Sequence, residues 1–253
     1  HLSIRRQRQM CIRDRCNTAF GIAMTAMGPA TRKIPIVAIA TAPGKAGVGI
    51  IRISGEGLQE LAFAITNIRL QSRKATLVDL RDEDGRIMDS CLAIYFIAPH
   101  SFTGEDVLEL QCHGGPQLLD LVLQRCLQLG QQVGLSIAEP GEFSLRAFLN
   151  GKIDLAQAEA IADLIDAQSH AAVMGAARSL QGAFSDNIHR LVGALTQLRI
   201  LVESTLDFPE EEIEFLENAQ ARQQLTQIQE QIQQLRAAAK QGQILRDGVQ
   251  LVL

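Results

Sequence analysis

Three charged side chains stand in positions that invite chemistry. Glu109 lies inside Asp106 to Cys112, DVLELQC, a run that alternates apolar and polar residues. Such a run forms a half-buried strand, with Leu108 and Leu110 on one face and Val107, Glu109 and Gln111 on the other. A carboxylate there either faces water or receives two parallel N–H donors from a heterocycle, because both of its oxygens accept. Arg52 lies in IIRIS, flanked by Ile51 and Ile53. A lone arginine in a strand ordinarily snorkels or pairs at the surface. Lys152 is stranded in the turn Asn150-Gly151-Lys152. A flexible cation in such a turn is either solvated or holds a carboxylate or carbonyl oxygen. Glu105, Asp106 and Glu142 are further carboxylates near turns, and Glu105 is read as having no role.

Metal and thiol chemistry find less support. His113 precedes two glycines, but none of the five histidines lies three or four residues from another. Gly114 and Gly115 are read as letting the backbone approach closely before a helix opens at Pro116. The five cysteines, at 11, 16, 91, 112 and 126, form no C-x-x-C pair and no zinc spacing, and are read as reduced thiols.

The elements that must position these groups change character along the chain. Ile36 to Ala40 and Ile50 to Ser54 are expected strands, with Pro43 to Gly49 as a Gly-rich turn between them. Leu58 to Ile65 has a helical pattern. Ala75 to Leu80 and Met88 to Phe96 are expected strands around Asp84-Gly85, a hairpin signal. A helix through about Leu129 follows Pro116, and Val133 to Ala138 is a last expected strand. Strands mixed with a few helices predict an α+β domain. From Asp154, an N-cap type, the pattern is helical. Val173, Ala176, Leu180, Phe184, Ile188, Leu191, Leu195, Leu198, Val202 and Leu206 recur at steps of three or four, which predicts one long helix over Ala171 to Leu206. Phe208-Pro209 is expected to end it, and Glu210 to Glu212 to open the next. Gln223 to Lys240 repeats the amphipathic pattern, and 248–253 reads as a strand.

The 253 residues are 47% hydrophobic and 21% charged, ordinary for a globular protein. No apolar run approaches the roughly 18 residues of a membrane span. The first 33 residues hold seven basic side chains and one acid. Without them the 24 basic residues fall to 17 and the 28 acidic ones to 27, so the remaining body is at −10. That body lacks the clustered Lys and Arg of a phosphate-binding surface. The absence of Trp argues against a stacking surface for single-stranded nucleic acid. The basic stretch 1–33 is read as a disordered or foreign tail, with a transit peptide and a nucleic-acid arm as alternatives.

Four segments carry a resemblance. GEFSLRAFLNGKIDLAQAEAIADLIDA (Gly141 to Ala167), TAPGKAGVGIIRISG (Thr41 to Gly55), SFTGEDVLELQCHGGP (Ser101 to Pro116) and LVESTLDFPEEEIEF (Leu201 to Phe215) resemble signatures of the tRNA wobble-uridine modification GTPases, the MnmE/TrmE family. The resemblance covers roughly Pro35 to Leu253, and four long motifs in order are far more specific than any short pattern. It implies an α+β folate-binding and dimerisation domain over 34–149, a mixed sheet with a few helices. An all-α helical domain is implied over 150–247, truncated, with 248–253 beginning a GTPase domain. It also implies that Arg52, Glu109 and Lys152 bind 5-formyltetrahydrofolate or a related tetrahydrofolate, Glu109 on the pterin edge and Arg52 and Lys152 on formyl or glutamate oxygens.

The same resemblance implies a cytoplasmic homodimer that works with the FAD-dependent MnmG (GidA) protein on tRNA, away from membranes. GTP, Mg and K would serve the full-length protein only. No G-x-x-x-x-G-K-[ST] loop occurs here, so the chain by itself is expected to be a binding module without GTP hydrolysis. Two alternatives remain open: a stand-alone folate-dependent enzyme resembling aminomethyltransferases, and a dimerisation scaffold without a ligand.

Overall fold

A computed structural model describes residues 34–207 and 214–247. The chain divides into two compact units, one ending at Lys152 and the other beginning at Ile153. Residues 150–152, placed with the helical part on sequence grounds, keep company with the first unit. The tail over 1–33, the Phe208-Pro209 turn with Glu210 to Glu212, and the strand expected at 248–253 lie outside the described residues.

The first unit is a mixed α+β fold. Its strands are β1 (Ile36–Ile39), β2 (Ala46–Gly55), β3 (Thr76–Arg81), β4 (Ile87–Phe96), β5 (Asp106–Gly114) and β6 (Ser136–Ile137). They form one sheet in the order β3-β4-β5-β2-β1-β6. Every neighbouring pair is antiparallel except β1 and β6. Helices α1 (Gln59–Thr66) and α2 (Pro116–Leu129) supply the apolar stripe that one sheet face requires. Ile51, Ile53, Leu108, Leu110, Ala93 and Val78 pack there with Leu61, Leu119 and Val122 in a single buried cluster. Because side chains alternate along a strand, Arg52, Ser54, Val107 and Glu109 fall on the opposite face. A third helix, α3 (Glu142–Leu149), follows β6.

Two sequence expectations change here. The Gly-rich segment Pro43 to Gly49 is only partly a turn, since β2 begins at Ala46 and pairs with β5 from Gly114 onward. The strand expected over Val133 to Ala138 shrinks to Ser136–Ile137, because Gln131–Val133 is a 3-10 turn and β1 offers partners only through Ile36 and Val37.

The second unit is wholly helical in its described residues: α4 (Leu155–Asp166), α5 (His170–Leu180), α6 (Ala183–Asp207) and α7 (Glu214–Asp247). The single long helix expected from Ala171 is in fact two. Gly182, at φ +88°, breaks it, with its N–H donating to Ser179 O at 3.0 Å. Apolar periodicity misses the break because Leu180 and Phe184 keep a step of four across it. Burial in this unit is thin. Ala158, Ala160, Ala176 and Ile228 are buried, whereas Ile165, Val192 and Ile200 are 78%, 53% and 58% exposed.

Asp154 caps α4 as its sequence position predicts. Its Oδ1 accepts from Gln157 N–H at 2.8 Å, and Gln157 Oε1 accepts from Asp154 N–H at 3.0 Å, completing a capping box. Burial tends to raise the Asp154 carboxyl, but the hydrogen bonds it accepts outweigh this and hold it below its ordinary value. A depressed carboxyl contributes stability above its unfolded value and loses it as pH falls through the folded one. Asp154→Ala should therefore destabilise the helical unit by about 1 kcal/mol at neutral pH. In urea unfolding followed by circular dichroism, the difference from the parent should shrink once pH drops below the ordinary aspartate range.

Candidate functional site

Arg52 and Glu109 face each other directly across β2 and β5. Their antiparallel register brings Cβ atoms to about 5 Å, close enough for a side-chain bond. Arg52 Nε donates to Glu109 Oε1 at 2.8 Å, and Arg52 Nη2 reaches the same oxygen at 2.7 Å. The two side chains are 27% and 17% exposed, so the pair is half-buried. Glu109 Oε2 takes no hydrogen bond from the described residues. The Arg52 guanidinium carbon also lies 5.6 Å from the ring centroids of both Phe102 and Phe143, within cation–π range.

The loop Ser101 to Glu105, between β4 and β5, gathers the other pieces. Its Phe102 covers Arg52. Thr103 Oγ1 lies 2.7 Å from Ser54 Oγ, and Thr103 O accepts from Asn150 Nδ2 at 2.6 Å. Gly104 takes φ +78°, and a Cβ there would meet Lys152 Cγ at 3.1 Å. Only glycine suits both that conformation and that approach. Lys152 is thus tied to the loop by its aliphatic stem, while its N–H donates to Ala147 O at 2.9 Å. Of the three residues singled out on sequence, Arg52 and Glu109 meet directly. Lys152 joins them only through the loop, and forms no ion pair with Glu109 among the described residues.

Glu105 corrects the sequence reading of an idle turn carboxylate. It is 4% exposed, its Oε2 accepts from Arg146 Nη1 at 3.1 Å and from Ser54 Oγ at 2.9 Å. Arg146, on α3, also donates to Glu142 Oε1 and to Ile34 O at 2.8 Å each. This network fixes α3, and with it Phe143, against the sheet. Phe102, Phe143 and Arg146 were not singled out on sequence. Their signal was present in two phenylalanines set among polar residues, and in Glu142 and Arg146 four apart. A depression of about 300 Å³ borders the same loop at Gly104 and Glu105, with Asn150 on its wall. Neither Arg52 nor Glu109 lines it, so it is not the seat of the pair.

His113 has a structural partner. Its Nδ1 lies 2.7 Å from Asp89 Oδ1, and its backbone N–H donates to Asp89 Oδ2 at 2.9 Å. Among the described residues no group of three or more His, Cys, Asp or Glu could hold a metal. Cys91, Cys112 and Cys126 are free and buried. A hydrogen bond with Cys91, and then burial, push the Cys112 thiol up, and burial pushes Cys126 up to about 12. Thiols so held are poor nucleophiles.

The arrangement defines a mixed-sheet domain, with an ion pair and two phenyl rings on the sheet face opposite α1 and α2, and a separate helical unit. Two family models divide the chain in the same way: "GTP-binding protein TrmE N-terminus" matches residues 35–152, and "MnmE helical domain" matches residues 155–250. The chain belongs to the MnmE/TrmE family. It is 69% identical over 223 residues to a tRNA modification GTPase MnmE of Polynucleobacter asymbioticus, covering 88% of this chain and 49% of that protein. Proteins of the same name from Herminiimonas arsenicoxydans and Ralstonia nicotianae are 56% and 54% identical, covering 87% and 88% of this chain and 48% and 47% of theirs. The chain spans about half the length of these curated relatives.

Removing one partner of a buried ion pair is costly because the other is left without compensation. Glu105→Ala should destabilise the first unit by about 3 kcal/mol, the low end of the range, since Arg146 keeps Glu142. Glu105→Gln should cost less, and Glu83→Ala, at a 70% exposed carboxylate, should stay within about 0.5 kcal/mol of the parent. Urea midpoints of the three variants provide the comparison.

Proposed function

We propose that the first unit binds 5-formyltetrahydrofolate, or a related reduced folate, through Arg52, Glu109 and Lys152. The observation that carries this reading is the Glu109 carboxylate, held at the centre of a strand with one oxygen engaged by Arg52 and the other without a donor among the described residues. A pterin presents two parallel N–H groups, and a half-buried carboxylate beside aromatic rings suits them. Once bound, the folate supplies a one-carbon unit. Glu109 orients its head, the rings exclude water, and Arg52 and Lys152 offer cations to its oxygens.

For the whole protein we propose a GTP-dependent role, with Mg and K, in aminomethyl-type modification of the wobble uridine of tRNA, in the cytoplasm. Its relatives bear the name tRNA modification GTPase MnmE, and an FAD-dependent MnmG is the proposed partner. No phosphate loop occurs in these 253 residues, so GTP binding is assigned elsewhere. Among the described residues no helix is long and apolar enough to cross a membrane. The helical second unit weighs against a stand-alone aminomethyltransferase-like enzyme. A homodimer through the first unit is part of the proposal. Leu77 and Leu92, opposite each other on β3 and β4 and on the Glu109 face, are 67% and 41% exposed, as an interface would require.

Calorimetric titration with 5-formyltetrahydrofolate tests the site. Glu109→Ala should weaken binding by roughly tenfold to a hundredfold, the cost of a lost charge-assisted bond. Lys152→Ala should cost least, and its effect should fade at high salt. No binding by the parent would leave only the scaffold reading. Light scattering tests assembly: the parent should be dimeric and Leu77→Asp should shift it towards monomer, whereas a parent that stays monomeric across a wide concentration range removes the dimer.

A further inference from the structure

The Arg52 guanidinium is placed as a ligand would be. It is planar, its Nε–H donates to one carboxylate oxygen with Nη2 2.7 Å from the same atom, and the ring centroids of both Phe102 and Phe143 lie 5.6 Å from its carbon. Neither ring belongs to the apolar core. Phe102 is 38% exposed and Phe143 is half-buried. They come from different segments, yet both segments are pinned by buried polar bonds, Thr103 to Ser54 and Arg146 to Glu105. A pinned pair of rings beside a carboxylate is a preorganised seat for a flat cation or a flat donor edge.

The 2-amino-4-oxo ring of a pterin is itself a cyclic guanidine. Its exocyclic amine and adjacent ring N–H point the same way, as Nε–H and Nη2–H of arginine do. We propose that Phe102 and Phe143 form the specificity-determining seat for the ligand's head, and that Arg52 holds this seat as an internal mimic until the ligand displaces it. The inference rests on the folate reading of the site and adds an order of events. The head takes Glu109 and the rings, and Arg52 is released towards an oxygen elsewhere on the ligand. The exchange leaves no bare charge in the core, because the pair is only partly buried and shares a single carboxylate oxygen. It also selects. A ligand with the head alone must evict Arg52 without giving it a new partner, whereas one that carries a carboxylate or formyl oxygen compensates the displaced cation.

The test compares two ligands by calorimetry on the chain: 5-formyltetrahydrofolate, and a tetrahydropterin that lacks the aminobenzoyl-glutamate tail. Arg52→Met keeps the stem and removes the mimic. It should bind the tail-less pterin about threefold to tenfold more tightly than the parent does, while 5-formyltetrahydrofolate weakens by about tenfold. If Arg52→Met unfolds in melting curves, Arg52→Lys, which lacks the planar fork, should move both affinities in the same directions by less. The double variant Phe102→Leu with Phe143→Leu keeps apolar volume without ring faces, and should weaken both ligands by about tenfold. Equal weakening of both ligands at position 52 would make Arg52 a direct contact to the head and overturn the mimic. Unchanged binding in the double leucine variant would overturn the seat. A parent that binds neither ligand fails the folate reading itself, whereas a parent that binds 5-formyltetrahydrofolate while either of the other results appears fails this inference alone.

Discussion

Two buried carboxylates that are neighbours in the chain hold the first unit in its shape. Glu105 and Asp106 stand where the Ser101 to Glu105 loop enters β5, and alternation sends them to opposite faces of the sheet. Neither charge is tolerable at such depth without partners. Asp106 finds them on the core side, where it accepts from Tyr95 Oη at 2.8 Å, Leu58 N–H at 3.2 Å and Ala98 N–H at 2.9 Å. The same burial and the same carboxylate raise the Tyr95 hydroxyl well above its ordinary value, so it remains a donor. Glu105 finds its partners on the other side, in Ser54 and Arg146. One dipeptide therefore locks β4, the start of α1, β2 and α3 to a single strand end, and the loop between β4 and β5 has little freedom left.

That constraint divides the labour of the sheet. The face under α1 and α2 is mainly apolar packing, with Ile, Leu, Val, Ala and Cys at most strand positions and the Tyr95–Asp106 bond at its end. The opposite face carries Arg52, Ser54, Glu109 and Gln111, and the loop and α3 reach over part of it. A site needs such an arrangement, with rigid strands to fix the charged pair and short segments to bring in the rings. Arg52 and Glu109 do not depend on long side-chain reach to meet, because the β2–β5 register sets them opposite each other.

Much of this was legible in the sequence, and the exceptions have physical causes. Alternation in DVLELQC and IIRIS placed Glu109 and Arg52 on strand faces correctly, because period-two patterning is the direct trace of one buried face. The cap at Asp154 was legible because capping is local. The break at Gly182 was not, since a left-handed residue can preserve the apolar step of four on either side of it. Nor was the burial of Glu105. A carboxylate in a Gly-containing turn looks solvated until a partner 41 residues away is known to lie on it. Phe102 and Phe143 were missed for the same reason, because their common neighbour Arg52 is distant from both in sequence. Lys152 is placed by its stem against Gly104, and its ammonium forms no ion pair among the described residues.

Two of the arginine–glutamate pairs of this unit make a useful contrast. Arg146 and Glu105, with side chains 9% and 3% exposed, are bound into a network of further donors and acceptors. Separating them would leave charge buried on both sides, so no ligand of ordinary affinity could insert between them. Arg52 and Glu109 are several times more exposed, and they share only one of the carboxylate's two oxygens. Solvent already weakens their attraction, and each can exchange its partner without leaving a bare charge in the core. The same chemical pair thus serves as a rivet at one depth and as an exchangeable contact at another. Depth rather than residue type is what makes Arg52 and Glu109, and not Arg146 and Glu105, the pair we propose as the contact with another molecule.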